Sequence, residues 1–114
     1  MLMIEEASRQ YEIPAYIREE YEQLGPDGKQ KSHMGSWECC RCDLEYMSLM
    51  ITLHQIGFEG EEVKKYMMLV MQGAGAEAER MKMLDQKRDS TLDKIHFCEG
   101  QIDLLDYLRY EIQK

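Results

Sequence analysis

Apolar residues recur at steps of three and four along most of this chain, and the longest such run lies in its last third. Met81, Leu84, Leu92, Ile95, Cys98, Ile102, Leu105, Leu108 and Ile112 keep that spacing, but for one step of eight after Leu84, through the proline-free stretch Ala76 to Lys114. The pattern predicts one long helix with an apolar stripe. At 1.5 Å per residue such a helix reaches roughly 55 Å, farther than the preceding residues can cover. Its stripe therefore needs a partner outside its own chain, and the same helix of a second subunit is the simplest one. The blander alternative is a helix that folds back on its own domain.

The earlier residues are organised in shorter pieces. Ile4 to Tyr11 places Ile4, Ala7, Ser8 and Tyr11 on one face of a short helix, with Glu5, Glu6, Arg9 and Gln10 facing out. Glu12 and Ile13 connect it to a second helix, Pro14 to Leu24, which opens on a proline and is stopped by Gly25. Its inward face is Ile17, Tyr21 and Leu24. Gly25-Pro26-Asp27-Gly28 reads as a turn, and Lys29 to Trp37 as a small hairpin or extended loop.

Helical spacing returns from Cys40 to Ile56, with Leu44, Met47, Leu49, Met50, Leu53 and Ile56 inward, and with Asp43 and Glu45 where a helix dipole favours negative charge. Gly57 ends that helix. Glu61 to Gln72 forms another, with Val63, Tyr66, Met67 and Val70 inward, and Gly73-Ala74-Gly75 closes it. Two regions result: a small helical domain over 1–75 and a long dimerisation helix over 76–114. Gly100, inside that helix, weakens it by roughly 1 kcal/mol relative to alanine and marks a close helix crossing or a slight bend.

Composition agrees with a mainly α protein, since proline is rare and no tract alternates Val, Ile and Thr. The net charge of −8 runs against nucleic-acid binding in general. No apolar run approaches the length of a membrane span, and Glu5 and Glu6 follow the first residues at once, so a cytoplasmic protein without membrane contact is expected. In that compartment Cys39, Cys40, Cys42 and Cys98 are expected as thiols.

The order of elements, two short helices, a basic loop, two packed helices and a long terminal helix, resembles the MerR family of transcriptional regulators. Its most specific stretch runs from Asp43-Leu44-Glu45-Tyr46-Met47 through Ile51-Thr52-Leu53-His54-Gln55-Ile56-Gly57-Phe58 to Glu61-Glu62-Val63-Lys64. This is similar to the family's Asp-Leu, apolar helix, Gly-Phe and Glu-Glu-Ile/Val-Lys run. Ile4-Glu5-Glu6-Ala7 and Tyr21-Glu22-Gln23-Leu24-Gly25 resemble its first two helices, and Gly35 falls at its wing motif. The resemblance implies a winged helix-turn-helix domain and an antiparallel coiled-coil homodimer that distorts promoter DNA between two half-sites. Its implied partners are double-stranded DNA, a second copy of the chain and RNA polymerase. Where the family usually has arginine and paired tyrosines on its second helix, this chain has Tyr16, Glu19 and Glu20, with Tyr21 kept. The second reading follows from that departure: a helical dimerisation or adaptor protein that keeps the fold and has weak or lost DNA binding.

The expected DNA contacts are Tyr16, Arg18 and Tyr21 on the second helix, Lys29, Lys31 and His33 in the wing, and Arg41 at the next helix start. Tyr21 reads equally well as a core residue, and the two lysines as an ordinary polar loop. Cys39-Cys40-Arg41-Cys42 is the loudest chemical feature. Cys40 and Cys42 could share a soft ion, and a thiol at a helix start beside Arg41 is expected to have a lowered pKa. Adjacent thiols chelate poorly from one backbone, and no second cluster supplies a zinc site's other ligands, so neither metal nor cofactor is expected. Cys98 reads as a seam residue. The ten methionines, among them Met47, Met50, Met67, Met68, Met71, Met81 and Met83, read as core or as an adaptable effector pocket. No effector domain is expected beyond the long helix. Nothing points to an enzyme: no nucleophile stands at a recognisable spacing from a base, and His33, His54 and His96 are scattered.

Overall fold

Five helices and one two-stranded sheet make up the described residues, 2–24 and 37–114, of the computed structural model. Strand β1 (Leu2–Met3) leads straight into helix α1 (Ile4–Gln10), and a tight turn joins it to α2 (Ala15–Leu24). Strand β2 (Glu38–Cys39) precedes α3 (Arg41–Gln55), α4 (Glu61–Gln72) and the long α5 (Glu77–Gln113). The chain divides into two units, Met1–Ala76 and Glu77–Lys114.

The first unit is built on an apolar centre to which all four of its helices contribute. Ile4 and Ala7 of α1, Ile17 and Tyr21 of α2, Met47, Met50 and Leu53 of α3, and Val63, Tyr66 and Met67 of α4 are all buried. Trp37 and Cys39 close it from the strand side. The sheet is antiparallel, pairing Leu2 with Cys39 and Met3 with Glu38, and Ile4 extends it by donating its N–H to the Trp37 carbonyl at 2.8 Å. The residues before α1 and those before α3 are thereby held side by side.

Helix ends follow local chemistry. At the start of α3 the Asp43 carboxylate reaches back to the Cys40 N–H, 3.0 Å from Oδ2, which is the acidic half of a capping box. At its end Gly57 takes φ 96°, a left-handed conformation that costs glycine no side-chain clash. Phe58 then donates to the Leu53 carbonyl at 3.0 Å and Gly57 to that of His54 at 3.1 Å, a Schellman closure.

The structure moves several expected positions. Tyr11 lies in the turn after α1 and is about half exposed, whereas Ile13, read as mere connection, is buried. The cause is Glu12, whose φ of 53° swings the chain over so that Ile13 faces the core. A non-glycine residue there is strained by about 1–2 kcal/mol. Ile56, expected inward, is exposed at the cap of α3, and Phe58 fills the core after the Gly57 turn. Leu24, Leu44, Leu49 and Val70 are half-buried, on the margins of their apolar faces. The loop expected over Lys29–Trp37 lies outside the described residues except for Trp37, as does the turn Gly25–Gly28.

The second unit is a single helix of 37 residues with no buried side chain. Of its stripe, Leu84 is half-buried, and Met81, Leu92, Ile95, Cys98, Ile102, Leu105, Leu108 and Ile112 are exposed in the single chain. A Cβ added at Gly100 would meet nothing within 4 Å. Among the described residues no helix is long and apolar enough to cross a membrane.

Candidate nucleic-acid interface

Helix α2 carries three carboxylates in ten residues, and three of its acidic or aromatic side chains are spent on holding the fold together. Glu22 is nearly buried. Its Oε2 accepts a hydrogen bond from Trp37 Nε1 at 2.7 Å and another from Arg18 Nε at 3.0 Å. The partners suit it, because a carboxylate taken out of water needs both a compensating charge and donors. Arg18 also faces Glu5, 3.8 Å from its other nitrogen. The guanidinium is thus held between two carboxylates of its own domain, where a phosphate would have to displace one of them.

Two residues before Glu22, Glu20 reaches α3. Its carboxylate oxygens lie 3.0 and 3.1 Å from His54 Nε2, which donates to an ionised carboxylate. The same ring makes a T-shaped contact with Tyr16, with centroids 5.3 Å apart and planes at 88°. Tyr21 is fully buried and donates its hydroxyl proton to Asp43 Oδ1. Asp43 is itself buried, and its Oδ2 takes the Cys40 N–H at 3.0 Å and the Cys40 thiol at 3.1 Å. A chain of contacts therefore runs from the middle of α2, through Asp43, to the first turn of α3.

This placement sorts the expected DNA contacts. Tyr21 is a core residue whose hydroxyl is committed to Asp43, which removes it from the candidate surface. Arg18 is half-buried in its carboxylate cage. Tyr16 is about half exposed, and the Arg41 side chain is 92% exposed with one partner, Glu45, at 3.4 Å. An exposed i,i+4 pair of that kind contributes only about 0.3–0.5 kcal/mol and leaves Arg41 available. Lys29, Lys31 and His33 lie outside the described residues. Tyr16 and Arg41 are what the described residues offer to an anion from the expected set.

The cysteines correct one expectation. Cys39 is buried, Cys40 partly so, and Cys42 exposed, all as free thiols. The Cys42 pKa is raised, not lowered: repulsion from Cys40 is the largest cause, followed by desolvation, a hydrogen bond to the Cys40 side chain, and the nearby carboxylates Glu45 and Asp43. The negative surroundings outweigh Arg41, whose guanidinium is drawn off toward Glu45. Among the described residues no group of three or more His, Cys, Asp and Glu side chains could hold a metal ion.

An open groove of about 870 Å³ lies between α1, the sheet and α3, lined by Leu2, Tyr11, Ile13, Leu44 and Ile51, with Arg41 and Glu45 also in its wall. None of its described lining residues is a methionine. Met47, Met50 and Met67 are core, whereas Met68 and Met81 are exposed.

Sequence reasoning passed over Glu22, Trp37 and His54 as interacting residues. Arg18 and Glu22 are spaced i,i+4, a legible signal for an ion pair. The contacts Trp37–Glu22 and His54–Glu20 join positions 15 and 34 residues apart, and no local pattern announces them. No protein-family model, no curated protein and no solved structure matches the chain.

Proposed function

We propose that this chain is a small MerR-type regulator that binds promoter DNA as a homodimer, with a winged helix-turn-helix domain over 1–75 and an antiparallel coiled coil of the helices over 76–114. The observation that carries the reading is the order and framing of the elements. Two short helices joined by a tight turn are followed by a segment, 25–36, whose flanks Leu24 and Trp37 both pack in one domain. Lys29, Lys31 and His33 fall in that segment, and the exposed Arg41 follows the β1–β2 pair that anchors its far end. The long α5 supports the dimer, since a helix with no buried side chain and an apolar stripe along it needs a second helix to be stable in water. Promoter DNA and RNA polymerase are then the partners, with no catalytic role.

One observation favours the second reading, a helical dimerisation or adaptor protein with weak or lost DNA binding. Arg18 and Tyr21, which would face phosphate, are held by Glu5, Glu22 and Asp43 of their own domain. A mobility-shift series against a pool of duplexes at low salt separates the two. A shift that weakens steeply with salt supports the regulator; no shift from a protein shown by light scattering to be a folded dimer favours the adaptor. Lys29→Ala with Lys31→Ala should weaken binding to all sequences alike and flatten the salt slope. An unchanged slope would remove the wing from the interface.

A further inference from the structure

We propose that the C-terminal half of α5 carries a second interface, on another side of the helix from the dimer stripe, through which two dimers join into an assembly of four chains. The inference rests on the homodimer reading above and adds a partner to it. Phe97, Gly100, Leu104 and Leu108 recur at steps of three and four, with Tyr107 beside Leu108. At about 100° per residue, this row is centred roughly 140° around the helix from Ile95, Cys98, Ile102, Leu105 and Ile112. A two-helix seam covers two positions in every seven, so pairing the stripes leaves the row in water. Phe97, Leu104, Tyr107 and Leu108 are all more than half exposed, and contiguous apolar surface of that kind marks a place where something docks.

The row itself says what covers it. Gly100 lies in its middle, and a Cβ there would meet nothing within the chain, so a second helix backbone can come closest at that point. The same side of the helix before Ile95 is polar, with Glu79, Lys82, Gln86, Ser90 and Asp93, which confines the apolar surface to the C-terminal half. Among the described residues, the large exposed apolar side chains of the first unit are Met3, Tyr11, Tyr16, Ile56 and Met68, each on a different element or turn. None of them forms a matching row. The match is the same row in another dimer, met across a two-fold axis, and two dimers that pair both of their rows close at four chains. Glu99, Asp103 and Asp106 fall on the opposite side of the helix, so two rows meet without opposing these carboxylates. That acidic strip also suits the helix poorly to an anionic lipid surface, which binds helices with a basic polar face.

The test is light scattering of the full chain over a range of protein concentrations. The parent should have the mass of two chains when dilute and of four when concentrated. Leu104→Glu with Leu108→Glu should hold the mass at two chains throughout, with helix content unchanged by circular dichroism. Ile102→Glu, on the first stripe, should instead release single chains. Gly100→Ala should move the step from two to four chains to higher protein concentration; a step left in place would overturn the close approach at Gly100. A parent that stays at two chains would overturn the second interface while leaving the dimer intact, and would assign the row to a protein of another kind. Single chains from the Leu104, Leu108 variant would also overturn it, by placing the row inside the dimer seam. A parent of one chain at every concentration would overturn the homodimer reading itself. None of these outcomes depends on DNA binding.

Discussion

The two units solve the same problem in opposite ways. Residues 2–76 bury their apolar faces against one another and then pin α2 to its neighbours with polar contacts: Glu20 to His54, Tyr21 to Asp43 and Glu22 to Trp37. The helix from Glu77 to Gln113 also carries apolar residues along its length and buries none of them. Amphipathic patterning alone therefore says that a surface will be covered, and only the set of neighbouring elements says by what. In the first unit the coverage is internal and its polar joints are specific. In the second, no side chain of the helix is buried within the single chain.

The largest expected effect is on that second unit. Leu105 is 58% exposed in the single chain, so truncation there should change little if the helix stands alone. Surface substitutions of that kind stay within about 0.5 kcal/mol. If Leu105 packs in a dimer seam, Leu105→Ala should cost roughly 2–5 kcal/mol per copy and shift the protein toward monomer in light scattering. Unfolding should also depend on protein concentration. A concentration-independent midpoint, unchanged by Leu105→Ala, would break the contrast between the units by showing that α5 needs no second chain.

Next come the polar joints of the first unit. Tyr21→Phe keeps the ring in the core and withdraws one donor from the buried Asp43, a loss of about 1–3 kcal/mol by urea unfolding. Trp37→Phe does the same to Glu22 and should fall in the same range. Phenylalanine at either place without loss of stability would show that the apolar centre alone holds α2 in position.

The apolar half of this architecture was legible in the sequence and the polar half largely was not. Met47, Met50, Leu53, Val63 and Met67 sit where a 3.6-residue period puts them. Tyr21 was equally readable as core or as a phosphate contact, because periodicity fixes a residue's face and not what waits opposite its hydroxyl. Asp43 was placed correctly in a first turn, but the partner at its other oxygen comes from 22 residues away. Strands of two residues show no period, so the β1–β2 pairing left no trace, and Ile13 was lost because Glu12 adopts a positive φ that its residue type does not favour. The long helix was the reverse: easy to read as an element, with its packing set by whatever covers it.

Gly100 gives a smaller test of that covering. Glycine in a helix interior is about 1 kcal/mol worse than alanine, and in the single chain an added methyl meets open space. Gly100→Ala should therefore stabilise the helix by about that amount if no second helix approaches closely there. A loss of stability, or a change in dimer affinity, would place the close crossing of two helices at Gly100.

The smallest stability effect should belong to Arg41, and there the comparison turns from folding to function. Its side chain is 92% exposed and its single pairing, to Glu45 at 3.4 Å, lies on the surface. Arg41→Ala should leave the urea midpoint within about 0.5 kcal/mol of the parent. If Arg41 grips a phosphate, the same substitution should weaken binding uniformly across duplexes and lower the salt slope by about 1. Arg18→Ala should behave the other way. It removes a partner from the nearly buried Glu22 and so costs stability, and it changes the salt slope little because the guanidinium already faces two carboxylates. Equal effects of the two substitutions on salt slope would mean that Arg18 leaves its cage on binding, and that α2 is held less firmly than its contacts imply.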